Sequence, residues 1–267
     1  MLFLQILEKN ALIFFALLLL ALILFYLIGV KIGRIRRKAI GETPDEGATL
    51  VVGSVLGLLA FVLALNLAAS SSRQDARLAA GLEEVNAIGT AMLQADAVGG
   101  PQAEQINARL REYLATRYRF VRAEPHSGEI AETTARTNLL QNEIWQFLEE
   151  RVRSEPNDVT SSLMNSLNLA FDASTKMRLM MEYRLPIQLI GLLLFMSLLG
   201  SATVGYQFGL TDRKGPLAAI ALSVLWCLLV TTIIDIGSGR IWTFRTDTRV
   251  YEWQLQGLGM DLPTRSE

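Results

Sequence analysis

The chain has 267 residues, of which 51% are apolar, with a mean hydropathy of +0.32 and a net charge of −1. The apolar residues cluster in long runs, which is typical of a membrane protein with a substantial water-exposed part. No long basic run is present, so the charge pattern argues against a nucleic-acid partner. The single cysteine, Cys227, excludes an intrachain disulfide and a cysteine-based metal site.

The sequence has few of the residues that enzymes use for catalysis. His126 is the only histidine and lies in a loop flanked by proline and glycine, which favours an exposed loop residue over a catalytic one. No nucleotide-binding glycine loop, zinc-protease motif or nucleophile elbow occurs. We therefore expect no enzyme, no catalytic residues, no metal and no cofactor.

The first apolar segment, residues 11–30, carries no charge for twenty positions and is long enough to cross a bilayer as a helix. A cleaved signal peptide is the alternative, but the run is longer than usual and no small-residue cleavage site follows it. Five cations between Lys31 and Lys38 come next. They mark the loop 31–47 as cytoplasmic.

The second span, residues 48–68, continues as an amphipathic helix to Met92 without a proline or a glycine pair. Small residues recur on one face of the span, and such a face lets another helix approach closely in lipid. They pack either within one subunit or at a subunit interface or narrow pore wall. The positions are Gly53, Gly57, Ala60, Ala64 and Ala68. Asn66, near the end of the span, is a candidate for capping or for pairing across helices.

Residues 70–185 show apolar residues three or four apart and are predicted to form four antiparallel helices. The predicted ranges are 70–97, 101–124, 129–153 and 158–185. In the first helix, the pattern indicates an apolar inner face of Leu78, Leu82, Val85 and Met92. In the fourth, a polar stripe is either the solvated side or part of a hydrated vestibule between subunits. The stripe consists of Ser161, Asn165, Asn168, Asp172 and Thr175.

Two further spans follow, at residues 187–208 and 217–236. The third also carries a set of small residues. Asp235 lies near the end of the fourth span, where an acidic side chain is either an anchor at the headgroups or a functional group. Residues 238–267 are predicted to be a polar tail with Trp242 and Phe244 near the membrane interface.

The predicted fold class is all-α, with four transmembrane helices and an extramembrane antiparallel helical bundle inserted between spans two and three. The corresponding domains are 1–69, 70–185, 186–237 and 238–267. The short loops 31–47 and 211–216 hold seven Lys and Arg in 23 residues. This density predicts that both termini and the helical domain are non-cytoplasmic.

Several segments resemble the sequence motifs of one known protein family. The segment Glu83–Met92 resembles the family's E-A-N-A-I-G-T-A signature, with Glu84, Asn86, Ile88 and Gly89 on the motif. Arg184-Leu185-Pro186 is similar to the R-L-P before the third span, and Gly205–Gly209 to its G-Y-x-F-G end. Asp235 and Ser238–Ile241 resemble the exit of the fourth span, without the family's Arg-Pro step. Together these segments resemble the bacterial bestrophin-like family, and the resemblance covers roughly residues 48–255.

The resemblance implies a multi-pass protein of the bacterial inner membrane that is distantly similar to bestrophins, which are pentameric anion channels. It implies a homo-oligomer in a lipid bilayer, with small anions as possible partners. Bestrophins hold their non-membrane helices in the cytosol, whereas the charges here favour the opposite side. The alternative function is a non-conducting scaffold or envelope sensor that binds a protein partner through its helical domain.

Glu84 needs a partner whichever function applies. Glu84 and Asn86 point in different directions on a helix, so one ligand site cannot easily use both. We expect Asn86 to bond a facing helix and Glu84 to pair with Arg109, Arg111 or Arg117. A gate or ion-site role for Glu84 is the alternative.

Overall fold

The computed structural model of the chain describes residues 10–40, 46–125, 127–183, 186–211 and 216–263. In these ranges the chain forms eight α-helices and no strand. They are α1 (Ala11–Ile40), α2 (Glu46–Val98), α3 (Gly100–Arg122), α4 (Gly128–Ser154), α5 (Asp158–Glu182), α6 (Ile187–Thr211), α7 (Pro216–Ser238) and α8 (Arg249–Gly257). His126, the Arg184-Leu185 pair, and most of the two turns at 42–47 and 211–216 lie outside the described residues.

The all-α prediction with four membrane spans is confirmed. Four helical stretches are long and apolar enough to cross a membrane: Ala11–Ala39, Thr49–Val98, Asp158–Thr211 and Leu217–Ser238. In lipid, a helix satisfies every backbone polar group within its own segment, which is why apolar runs of this length adopt it.

The chain divides into two compact units. The first contains residues 1–72 and 184–243, and the second contains residues 73–183 and 244–267. Helix α2 contributes to both, because its first half belongs to the first unit and its second half to the second. The second unit therefore includes the C-terminal segment as well as the stretch between spans two and three.

In the first unit, α1 and α6 pack with their backbones in direct contact. A Cβ at Gly29 would lie 2.0 Å from the carbonyl oxygen of Ala202, and a Cβ at Gly205 would lie 2.1 Å from the carbonyl oxygen of Tyr26. Gly33 and Gly209 form a second such contact one turn further along. This is the small-residue packing by which helices associate in lipid. The third-span glycines were noted in the sequence, but their partners in the first span were not.

Polar side chains in the first unit reinforce this packing by binding backbone carbonyls. Ser201 Oγ donates to the carbonyl of Leu22 at 2.7 Å, and Ser70 Oγ donates to that of Ile233 at 3.0 Å. The thiol of Cys227, which is fully buried, donates to the carbonyl of Phe15 at 3.2 Å. Helix α7 is thus tied to both α1 and α2.

In the second unit, α2 runs antiparallel to α3, and α3 runs antiparallel to α4. Contacts between α2 and α3 pair residues whose numbers rise along one helix and fall along the other, as in Met92 with Asn107 and Glu84 with Arg117. Between α3 and α4, Arg119 pairs with Glu132 at 3.0 Å and Arg109 with Glu143 at 2.8 Å, which is again the antiparallel order. The core between the helices is apolar and includes Ile88, Ile106, Leu110, Leu140, Ile144, Leu163 and Leu167.

The prediction for the inner face of the first bundle helix was wrong at two positions. Leu78 and Leu82 are 40% and 49% exposed, whereas Val85 and Met92 are buried as expected. Alanines and a paired carboxylate take the inner positions instead, namely Ala80, Glu84, Ala91 and Ala95. The pattern of large apolar residues does not reveal these positions. Three of them are small alanines, and the burial of Glu84 depends on a partner from another helix.

The C-terminal segment differs from the predicted polar tail. Residues Arg249–Gly257 form α8, which buries Tyr251 and Leu255 completely in the core of the second unit. Charged and amide residues separate these two anchors, so no apolar run reveals them in the sequence. The polar stripe of α5, by contrast, is exposed over its whole length in the single chain, which fits both the solvated side and the vestibule considered for it.

Candidate functional site

The small-residue face of the second span is open within the chain. A Cβ at Gly53 or at Gly57 would meet no atom within 4 Å, and Ala60 and Ala64 are exposed. This distinguishes the face from the glycines of α1 and α6, which are used for packing inside the chain. Of the two roles considered for the stripe, packing within one subunit is therefore wrong for Gly53 and Gly57.

The two polar candidates in the spans are both buried and bound to nearby backbone. Asn66 is 5% exposed, and its Nδ2 donates to the carbonyl of Val62 in its own helix at 2.8 Å. Asp235 is 5% exposed, and its Oδ2 accepts the backbone N–H of Thr243 at 3.1 Å. Asp235 thus fixes the chain just after α7 through a buried contact within the chain.

A buried polar network lies at the centre of the second unit. Glu84 is 0% exposed and Arg117 is 2% exposed. Arg117 Nε donates to Glu84 Oε1 at 2.5 Å, and the hydroxyl of Tyr251 donates to Glu84 Oε2 at 2.5 Å. Of the three arginines considered as partners for Glu84, Arg117 is the one that pairs with it. Both carboxylate oxygens are occupied, which is what a buried charge requires.

The network continues through neutral hydroxyls. Arg117 Nη2 also donates to the carbonyl of Ser174 at 3.1 Å, and the hydroxyls of Ser174 and Tyr113 are 2.6 Å apart. Gln141 Nε2 donates to the hydroxyl of Tyr113 at 2.9 Å. Through these bonds α2, α3, α4, α5 and α8 all contribute to one network.

The electrostatics of this network favour a charged Arg117 and neutral Tyr113 and Tyr251. Burial, and then the Glu84 carboxylate, raise the pKa of Tyr113 to about 12 and raise the pKa of Tyr251 well above its ordinary value. Desolvation lowers the pKa of Arg117, but the adjacent Glu84 outweighs it, so that this pKa lies above the ordinary value. The arginine is therefore charged and both tyrosines are protonated at neutral pH.

Two further motif residues line a cavity in the second unit. Asn86 and Gly89 border a space of about 380 Å³ between α2, α3 and α8. Asn86 is exposed rather than packed against a facing helix, so the expected hydrogen bond to such a helix is wrong. A Cβ at Gly89 would lie 3.1 Å from Nε2 of Gln254, a tight contact that a small side chain could relieve only by moving that glutamine.

The sequence did not point to Tyr113, Ser174 or Tyr251 as partners in the network. Each is a common residue type on an amphipathic helix, and Tyr251 lies in a segment without a long apolar pattern. Only the approach of five helices to one point brings them to Glu84. By contrast, the motif itself drew attention to Glu84, Asn86 and Gly89.

These features together define an all-helical membrane protein with four spanning helices and a second, extramembrane helical unit. No protein-family model matches the chain, and no curated protein sequence matches it significantly. Among solved structures, it is similar to the crystal structure of a mutant of a bacterial bestrophin homolog from Klebsiella pneumoniae. The TM-score is 0.68, over 91% of this chain and 98% of that one, at 12% sequence identity. The chain has a bestrophin-like fold.

Proposed function

We propose that this protein forms a homo-oligomer in the bacterial inner membrane and conducts, or regulates the flux of, small ions, most readily anions. The small-residue face of α2 then lies towards the axis of the assembly. The resemblance to bestrophins supports anions as the conducted species and a ring of copies as the assembly.

The observation that carries the proposal is the open face at Gly53 and Gly57. Glycine within a helix costs about 1 kcal/mol relative to alanine, so its repeated use needs a compensating contact. That contact is present for Gly29 and Gly205 inside the chain and absent there for Gly53 and Gly57. A neighbouring copy or a narrow aqueous path would use the space that these two glycines leave open.

The test is ion flux through liposomes that contain the purified chain, with chloride and potassium measured separately. We expect chloride flux that Gly57→Leu reduces severalfold. The matched control is Gly191→Leu on α6, because a Cβ there also meets nothing within 4 Å. The absence of flux from a well-folded oligomer, or an equal effect of both variants, would contradict the proposal.

A scaffold or envelope sensor is the second candidate, and the exposed apolar residues of the second unit favour it. Leu93, Leu139 and Leu169 are 71%, 53% and 63% exposed on the extramembrane helices. Exposed apolar residues mark a protein-binding surface where they form one contiguous patch, so this candidate requires these leucines to lie together. Crosslinking in cells that recovers a stoichiometric heterologous partner, with only monomer or dimer of this chain, would favour this candidate over the channel.

We also propose that the second unit lies on the non-cytoplasmic side, because the short loops carry the cations. Cys227 is buried, so Cys227→Ser provides a background without a reactive thiol and retains a hydrogen-bond donor. On that background, Asn165→Cys introduces an exposed thiol on α5. Labelling of this thiol in intact spheroplasts by a membrane-impermeant maleimide is the expected result. Labelling only after lysis would reverse the orientation.

A further inference from the structure

The cavity beside Asn86 and Gly89 has no role in the proposed ion flux, which rests on the open face of the second span. It is lined by residues of α2, α3 and α8, all within the second unit. Its volume of about 380 Å³ lies within the roughly 300–1,000 Å³ typical of small-molecule sites. Such sites combine apolar walls with a few polar groups that converge on the ligand.

The cavity presents one charge of each sign. Asp96 comes from α2 and Arg111 from α3, and each side chain is bound to another neighbour. Asp96 Oδ1 accepts Nδ2 of Asn107 at 2.5 Å, and Arg111 Nη1 donates to the carbonyl of Leu258 at 3.0 Å. Each charged group is thus held in place by one bond, and each retains further acceptor or donor positions.

Neutral polar groups and apolar side chains complete the lining. Asn107 is 8% exposed, and its Oδ1 has no hydrogen-bond partner among the described residues. Leaving a buried amide oxygen without a hydrogen-bond donor costs roughly 1–3 kcal/mol. A ligand that donated to this oxygen would therefore stabilise the site. The remaining lining residues are polar (Asn86, Thr90 and Gln254) or apolar (Val85, Met92, Leu93 and Leu258).

We propose that this cavity binds a small zwitterion with an apolar side chain, of the class of a free α-amino acid. The carboxylate of the ligand pairs with Arg111, for which a guanidinium is well suited. The ammonium group donates to Asp96, and the apolar side chain contacts Met92, Leu93 and Leu258. This site is separate from the open face of the second span and does not depend on ion conduction.

The test is isothermal titration calorimetry of the full-length chain in detergent, with L-leucine as the probe. Isocaproate and isoamylamine serve as the two half-ligands, because each retains the apolar chain and only one charge. We expect leucine to bind saturably and each half-ligand to bind at least roughly tenfold more weakly, since a charge-assisted hydrogen bond contributes more than about 1.4 kcal/mol.

Variants assign the binding to the cavity. Arg111→Gln and Asp96→Asn should each weaken leucine binding roughly tenfold or more. The matched controls are Arg153→Gln and Asp172→Asn, both exposed and far from the lining residues in sequence, and these should leave binding unchanged. Arg111 also holds the carbonyl of Leu258, so Arg111→Gln could act through the fold. Asn86 is exposed, and Asn86→Ala removes no bond between helices, so weaker leucine binding in this variant would report on the cavity itself.

Three results would overturn the proposal. They are no heat of binding for leucine at millimolar concentration, equal affinity for leucine and isocaproate, or binding that survives Arg111→Gln, Asp96→Asn and Asn86→Ala alike. The second result would indicate a simple anion site at Arg111. Because the readout is binding rather than flux, a failure here leaves the channel proposal standing, and a failure of flux leaves this one standing.

Discussion

The side chains of Glu84 and Arg117 form a 2.5 Å ion pair that is almost completely removed from solvent, with exposures of 0% and 2%. Five helices contribute to the network around this pair. A buried charge pair is costly to assemble, but it is far more costly to leave half complete, since the remaining charge then has neither partner nor water. This asymmetry makes the pair the most sensitive point in the second unit.

Replacing Glu84 with glutamine should therefore destabilise the protein strongly. We expect a loss of about 3–5 kcal/mol in the free energy of unfolding, because Arg117 stays charged and loses its partner. The measurement is urea unfolding in detergent, followed by circular dichroism.

The adjacent Glu83→Gln is the matched control for this prediction. Glu83 pairs with Lys176 at 2.5 Å, but both side chains are about half exposed, so the loss should be less than about 1 kcal/mol. The double variant Glu84→Met/Arg117→Met should be more stable than Glu84→Gln alone, because no unpaired buried charge remains. Equal stability of Glu83→Gln and Glu84→Gln would contradict the assignment.

Tyr251 should anchor the C-terminal helix α8 to the rest of the second unit. Tyr251→Phe keeps the ring and removes the donor to Glu84, at an expected cost of about 1–3 kcal/mol. Limited proteolysis should then cleave the chain near α8 more rapidly. Trp253→Phe on the same helix is the control, because Trp253 is 63% exposed. Faster cleavage in both variants would mean that α8 is held by other contacts.

The stability of the second unit should fall at high pH through Tyr113. Its pKa is raised from 10.0 to about 12 in the folded protein, so the unfolded chain loses this proton first. The contribution of protonated Tyr113 to the free energy of unfolding is complete below about pH 10 and is lost as the pH rises towards 12. Two pKa units correspond to about 2–3 kcal/mol. Unfolding measured between pH 9 and pH 12 (roughly this window) should show a shallower decline for Tyr113→Phe than for the natural chain.

The contact between α1 and α6 should not accept a methyl group. Gly205→Ala would bring a Cβ to 2.1 Å from the carbonyl oxygen of Tyr26, so the helices must separate. Overpacking of this kind costs about 1–3 kcal/mol or more. The midpoint of thermal unfolding in detergent should fall by several degrees.

Gly191→Ala on the same helix is the control for this contact, because a Cβ there meets nothing within 4 Å. It should leave the midpoint unchanged or raise it slightly, since alanine favours the helix over glycine. A similar fall in both variants would show that the close approach of the two backbones is not what limits stability.

In helix α2 the spacing of the residues predicted the helix correctly but did not predict which of its faces is buried. Counted along the sequence, Gly53, Gly57, Ala60, Ala64 and Ala68 are followed at spacings of three or four by Ser71, Asp75, Leu78, Leu82 and Asn86. All of these residues are exposed in the single chain. From the sequence, the first five were expected either to pack within one subunit or to lie at a subunit interface or pore wall, and Leu78 and Leu82 were expected in the core. Their exposure shows that the regular spacing does not mean burial within the single chain.

What the sequence determined by itself was the class of the protein and the position of its helices. A run of twenty apolar residues forms a helix in lipid, and apolar residues three or four apart favour an amphipathic helix in water. Both predictions follow from local chemistry. Only the tertiary structure decided that Gly205 meets Tyr26, that Arg117 rather than Arg109 or Arg111 pairs with Glu84, and that Tyr251 closes the network. These contacts join residues far apart in the chain, and their free energy depends on distances that no local pattern encodes.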